Sequence, residues 1–177
     1  MSMERTIFKT DSRESIESRY RRFRFNLFPT YRRTGGRICF LSNDWKEVHI
    51  KLGLNWTTRN YVGSIFGGSL FGALDPIYMI QLIHILGKEY VVWDKSATIK
   101  FIKPVKKTVY AKFLISDELI SEIRTIIENK KKFTFNLTVT LQDEKESIYT
   151  ESVRTIFVAD KSYLENLTRK RTHNNVP

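Results

Sequence analysis

One cysteine, Cys39, stands in 177 residues, so the chain can form no disulfide within itself. That fits a reducing compartment. Cys39 has no histidine or acid near it in the sequence and reads as a small buried hydrophobe in a strand. Only three histidines occur. His49 and His84 fall on different elements, with no cysteine or acid at ligand spacing, so neither a metal site nor a cofactor is expected. Repeats and low-complexity segments are lacking. The N-terminus lacks a signal-peptide pattern, because Arg5, Lys9 and Asp11 break its first apolar stretch. These absences point to a cytoplasmic chain. Its length suits one domain that buries roughly 70% of its unfolded surface.

Acidic residues are scarce against basic ones, 19 to 30, which leaves a net charge of +11. Such a chain is drawn to polyanions: nucleic acid, an anionic membrane or the phosphates of a coenzyme. Aromatic stacking motifs for RNA or DNA are missing, so no specific nucleic-acid partner is expected. Lys95, Lys100, Lys103, Lys106 and Lys107 form a basic run. It reads either as a solvated face or as a contact for phosphates.

Long apolar runs are lacking except one. Residues 62–87 carry a single formally charged side chain, Asp75, and are long enough to span a bilayer. Asp75, Pro76, Gln81 and His84 sit in the middle or second half of the run, and a central Asp costs about 2.5–3.5 kcal/mol on insertion scales. A helix buried within the protein explains the pattern better than a transmembrane segment.

Periodicity supplies the elements. Ile16, Tyr20, Phe23 and Leu27 recur at helical spacing within 12–27, surrounded by arginines, and Asp11 and Glu14 suit a capping box. This helix is expected to pack on the domain edge with a solvated basic face; the sharper reading is an arm for a membrane surface or for phosphates. Residues 1–36 thus form an N-terminal helix and linker, with Pro29 and Gly35-Gly36 breaking the pattern. Strands are expected at 37–42, 47–54, 90–103, 108–116, 133–141 and 147–159. Helices are expected at 67–86, bent at Pro76 and ended by Gly87, and at 117–130. The tail 161–177 is polar and basic and is expected to fray. A sheet with one apolar face must cover that face. A curved antiparallel sheet wrapped around one long central helix over 37–160, an α+β hotdog fold, is the economical solution.

Residues 60–75 hold the chemistry. Asn60 stands before a glycine-rich bend (Gly63, Gly67, Gly68) that opens the apolar helix containing Asp75. Glycines at a helix start let a ligand approach free N–H groups where the dipole favours negative charge. A carboxylate partly desolvated by Leu74, Ile77 and Tyr78 suits general-base work. Preorganised N–H donors at such a helix start stabilise an oxyanion by roughly 3–4 kcal/mol each, so these parts suit an oxyanion-binding site with a carboxylate nearby.

This order resembles the hotdog-fold acyl-CoA thioesterases. The stretches Asn-Trp-Thr-Thr-Arg-Asn (55–60), Phe-Gly-Gly-Ser-Leu-Phe (66–71), Asp-Pro-Ile-Tyr-Met (75–79), Trp-Asp-Lys-Ser-Ala (93–97) and Phe-Ile-Lys-Pro (101–104) carry it. They are most similar to the tetrameric acyl-CoA thioesterase-like branch of unassigned function, the DUF4442 type. The resemblance implies that Asp75 acts as base or nucleophile on the thioester, that Gly67 or Gly68 donates its N–H to the thioester oxygen, and that Asn60 positions the water or supports the site. It also implies an acyl-CoA ligand and a site at the interface of a homodimer or a dimer of dimers. Phe66 departs from the pattern of the better-known thioesterase branch, which usually has His before the Gly-Gly. It leaves open a second function, a non-catalytic hotdog that binds an acyl ligand or serves as an assembly module. Phe66, Phe71, Lys100 and Lys103 are the candidate substrate contacts. An acyl slot is expected along Leu70, Phe71, Leu74, Ile77, Met79 and Leu82.

Overall fold

The computed structural model describes residues 6–174. Six strands form one antiparallel sheet in the order β1-β2-β4-β5-β6-β3. They are β1 (Gly36–Leu41), β2 (Glu47–Leu52), β3 (Tyr90–Phe101), β4 (Val109–Leu114), β5 (Lys132–Gln142) and β6 (Ile148–Asp160). The central helix is two pieces, α3 (Gly67–Leu74) and α4 (Ile77–Leu86), and the curved sheet wraps it. This is the hotdog architecture. Gly67–Leu86 is the one described helix long and apolar enough to cross a membrane, and it is packed into the core of the fold.

Period-two alternation sets what faces the helix. On β2, Val48, Ile50 and Leu52 are fully buried. On β5, Val139 and Leu141 are buried while Thr134, Asn136 and Thr138 are exposed. Leu74, Ile77, Tyr78 and Leu82 fill the space between. Close approach requires glycine at one point: a Cβ on Gly36 would lie 2.9 Å from the Ala73 Cβ, so β1 meets α3 nearly backbone to backbone.

The expected bend at Pro76 is a break. Pro76 lacks the N–H that would bond the Gly72 carbonyl. Neighbouring carbonyls take side chains instead: the Tyr31 hydroxyl donates to Ala73 O at 3.3 Å, and Arg154 Nη2 donates to Phe71 O at 3.3 Å.

Around this frame lie α1 (Ile16–Leu27), α2 (Pro29–Thr34), α5 (Asp117–Lys130) and α6 (Lys161–Asn174). Helix α5 covers the span the sequence predicts. Ser116 caps it by accepting from Leu119 N, and it buries Ile120, Ile123 and Ile127. Two expectations fail. Lys161–Asn174 is helical rather than frayed, its start held by the Asp160 carboxylate, which accepts from Tyr163 N at 2.9 Å and from the Ser162 hydroxyl at 2.6 Å; the expectation for 175–177 lies outside the described residues. Helix α1 does not bury its apolar stripe. It packs through Ser18, Phe25 and Asn26 and leaves Ile16, Tyr20, Phe23 and Leu27 exposed.

The N-terminal segment before α1 is tied to the outer face of β2. The buried His49 bonds the Thr6 hydroxyl through Nδ1 at 2.7 Å and Glu47 through Nε2 at 2.8 Å. Glu47 also accepts from Thr10, Ser12 and Lys112. Burial pushes the Glu47 carboxyl up, but these bonds, led by Lys112, outweigh it and hold its pKa down at about 2. Burial pushes the His49 pKa below its usual value.

Candidate active site

Helix α3 begins without a side-chain cap at Phe66. Ser69 N and Leu70 N bond Phe66 O, whereas the amides of Gly67 and Gly68 take no acceptor among the described residues. Two donors therefore stand free at the positive end of the helix. Gly67 borders a cavity of about 350 Å³ lined also by Asn60, Ser64, Phe101, Lys103 and Val105, among others, whereas Gly68 lies under the Phe66 ring. Gly67 faces the Phe101 ring closely, and a Cβ there would sit 3.2 Å from it. Glycine keeps the helix start open to β3.

Asn60 borders the cavity but spends its amide on its own loop. Its Oδ1 accepts from Val62 N and Ser64 N at 3.1 and 3.0 Å, and its Nδ2 donates to Ser64 Oγ at 2.9 Å. This Asx-type turn shapes the approach to α3. Phe66 is exposed and lies over Gly68. Lys103 reaches the cavity with its ammonium 4.3 Å from the Tyr149 ring centroid. Lys100 alternates with Phe101 along β3, points to the other face and sits across from Glu151, apart from the cavity. Of the expected acyl slot, Leu70 lines the cavity, whereas Leu74, Ile77 and Leu82 are fully packed; the open space lies at the start of α3.

Asp75 ends α3, and its environment corrects the expectation of an apolar, desolvated carboxylate. Its side chain is 51% exposed and bonds Arg154 Nη1 through Oδ1 at 2.7 Å. Arg154 lies on the inward face of β6 and is 1% exposed. Its guanidinium stacks on the Phe71 ring at 4.5 Å and stands 3.9 Å from Asp94 on β3. Phe71 is thus a platform for Arg154. Two carboxylates from different elements share one buried cation. Burial pushes the Asp94 pKa up, Arg154 opposes this, and Asp75 adds to it. Asp94 and Arg154 are the site residues that sequence reasoning missed. Four buried polar atoms along this face have no partner among the described residues: Asp94 Oδ1, Thr150 Oγ1, Ser152 Oγ and Arg154 Nε. Such a cluster is unusual for a packed core and marks a place for water or ligand groups.

The geometry separates donors from carboxylate. Gly68 and Asp75 are seven residues apart on one helix, about 10 Å of rise. That rise sets the free amides and the carboxylate at opposite ends of α3.

Comparison with known families decides the relationship. Residues 21–158 match the domain of unknown function DUF4442. The chain belongs to the DUF4442 family. Among solved structures, a protein of unknown function from Pseudomonas aeruginosa, described as a probable thioesterase, superposes with a TM-score of 0.71 at 19% identity, over 81% of this chain and 95% of that one. A protein of unknown function from Chlorobaculum tepidum gives 0.65 at 15%, over 82% and 95%. A thioesterase from Haemophilus influenzae gives 0.57 at 13%, over 84% and 93%. At these identities the likeness is one of fold. No curated protein matches the chain. This DUF4442 member therefore has the hotdog fold.

Proposed function

We propose that this DUF4442 protein hydrolyses the thioester of an acyl-CoA, at sites shared between two copies of the chain. The observation that carries the reading is the pair of unbonded amides, Gly67 and Gly68, at the start of the same helix that presents Asp75, with Gly67 opening onto the cavity. The amides of one copy would polarise the thioester carbonyl, and Asp75 of the other would act as base toward water or as nucleophile. Arg154 holds Asp75 in place, and Asn60 holds the loop over the helix start. Lys103 and the free edge of β3 form the approach for a phosphate-bearing nucleotide.

Two features support sharing. Strand β3 bonds β6 on one side only and leaves its other edge open for 12 residues. Gly68, Asp75 and Ile83 form an exposed line along the central helix. Pairing β3 with β3 of a second copy would cover both and complete the site. The single cysteine is consistent with a cytoplasmic place of action.

A second reading has its own observation. The bond to Arg154 gives Asp75 a structural use, and Phe66 supplies no polar group at the helix start. A hotdog that binds an acyl ligand without cleaving it would look the same there. Thiol release from a panel of acyl-CoAs separates the readings. Turnover that falls at least 100-fold in Asp75→Asn supports hydrolysis; binding without thiol release leaves the second reading.

A further inference from the structure

Helix α1 is mounted with its apolar face outward, and the mounting is firm. Asn26 donates to Ile38 O at 2.9 Å and accepts from Ile38 N at 2.8 Å, so its side chain extends the β1 ladder. Ser15 N and the Ser18 hydroxyl both bond Asn43 Oδ1, at 2.6 and 3.1 Å. Arg22 forks onto Glu14. Phe25 packs on Tyr31 with ring centroids 4.7 Å apart. These bonds fix the rotation of the helix about its axis.

The opposite face is what remains. At 3.6 residues per turn, Ile16, Tyr20, Phe23 and Leu27 fall within about 60° of one another. They are 86%, 60%, 51% and 49% exposed, and Phe28 continues the stripe at 57%. Arg19 flanks the stripe on one side and Arg24 on the other, each within about 80° of its centre. The Arg24 guanidinium lies over the Tyr20 ring at 5.8 Å. Arg32 and Arg33 of α2 add two exposed cations just beyond Phe28. Glu17, the one acid of α1, is paired with Arg21.

We propose that α1 is a docking surface for an anionic lipid bilayer, lying in the plane of the interface with Ile16, Tyr20, Phe23, Leu27 and Phe28 among the acyl boundary and the arginines at the headgroups. Length fits lying rather than spanning: 12 residues make about 18 Å of helix against about 30 Å of hydrocarbon. An apolar stripe with cations on both flanks has the two signals that stable interfacial binding needs. Charge argues against a second copy as the occupant. A two-fold contact through this stripe would set the Arg19 and Arg24 rims of both copies against each other. An excess of 11 positive charges over the whole chain points the same way. The proposal does not depend on the hydrolysis reading.

The test is vesicle co-sedimentation of the full chain. Vesicles of phosphatidylcholine alone are compared with vesicles in which about a third of the lipid is phosphatidylserine, at low and high salt. The expected result is binding to the anionic vesicles, weakened by salt, and at least 10-fold weaker binding to the neutral ones. Ile16→Ser with Phe23→Ser should lose at least 10-fold on anionic vesicles. Arg19→Gln with Arg24→Gln should lose affinity and flatten the salt dependence. All these positions are exposed, so circular dichroism and urea midpoints should match the parent. Three outcomes overturn the proposal: no binding by the parent, binding untouched by the serine pair, or a serine pair that elutes as a smaller assembly than the parent. The last would make the stripe a contact between copies.

Discussion

Asp75 and Arg154 show how one buried cation changes the meaning of a carboxylate. In the sequence, Asp75 stands as the one formal charge of an apolar run, with no partner in view. In the structure, Asp75→Asn leaves a 1%-exposed guanidinium with Asp94 at 3.9 Å as its remaining carboxylate. Breaking a buried pair is costly, but Asp75 is half exposed and Asn can still accept from Arg154. Asp75→Asn should therefore lose about 1–2 kcal/mol in urea unfolding. Arg154→Met should lose more, on the order of 3 kcal/mol, because Asp75 and Asp94 then face each other with no cation between them. Equal midpoints for parent and both variants would show that the pair contributes nothing. Asp75 and the Gly67-Gly68 pair were legible because a charge in an apolar run and adjacent glycines at a helix start stand out locally. Arg154 was not, although a signal exists. Extending period two backward from Ile156 and Val158 puts Arg154, Ser152 and Thr150 on the inward face, and an arginine there requires a partner.

Elements were read well where one pattern settles them. Strand β5 alternates apolar and polar residues over its whole length, and α5 carries a cap, a stripe and an αL residue at Lys131, φ 64°. The misreadings have a common cause. Amphipathic spacing says that a helix has an apolar face, not what covers it, so α1 was placed with its stripe inward. The segment before α1 was unreadable because its partners, Glu47 and His49, lie about 40 residues away. That strap makes an acid-sensitive element. Glu47 is held at about 2 in the fold against 4.5 unfolded, so its contribution is present above pH 4.5 and is lost as pH falls toward 2. His49 is lowered as well, so acid below its ordinary 6.5 also weakens the fold. The Glu47 share is on the order of 3 kcal/mol. Glu47→Gln should be less stable at pH 6 and should lose less between pH 6 and pH 3 than the parent, in urea titrations at the two values. Parallel loss in both proteins would remove Glu47 from the account. Strand β3 offers a test of the open edge. Successive amides of a strand point to opposite sides, so one of Ala97 and Thr98 directs its N–H toward β6 and the other outward. Of Ala97→Pro and Thr98→Pro, one should misfold and the other should give a folded monomer by light scattering. A folded variant that keeps the parent's assembly would exclude β3 as the interface.

At the scale of the whole molecule, the separation of amides and carboxylate makes sharing a quantitative matter. About 10 Å of helix divides Gly68 from Asp75, so each site in a dimer would take its donors from one copy and its carboxylate from the other. Two inactive chains can then rescue each other. Asp75→Asn removes the carboxylate. Gly67→Pro removes the donor at the first helical position, where proline's fixed φ is tolerated, although its ring must displace Phe101. Mixed in equal amounts and allowed to exchange, the two variants form hybrids in half of the pairs. In each hybrid both lesions fall on one site, and the other site is whole. Activity toward an acyl-CoA should return to about a quarter of the parent's, the share of intact sites that random pairing gives. A site built within one chain allows no such return, because every chain in the mixture carries a lesion. Thiol release that stays at the level of the separate variants, in a mixture shown by native mass spectrometry to contain hybrids, would refute the shared site and require donors and carboxylate to meet within one copy.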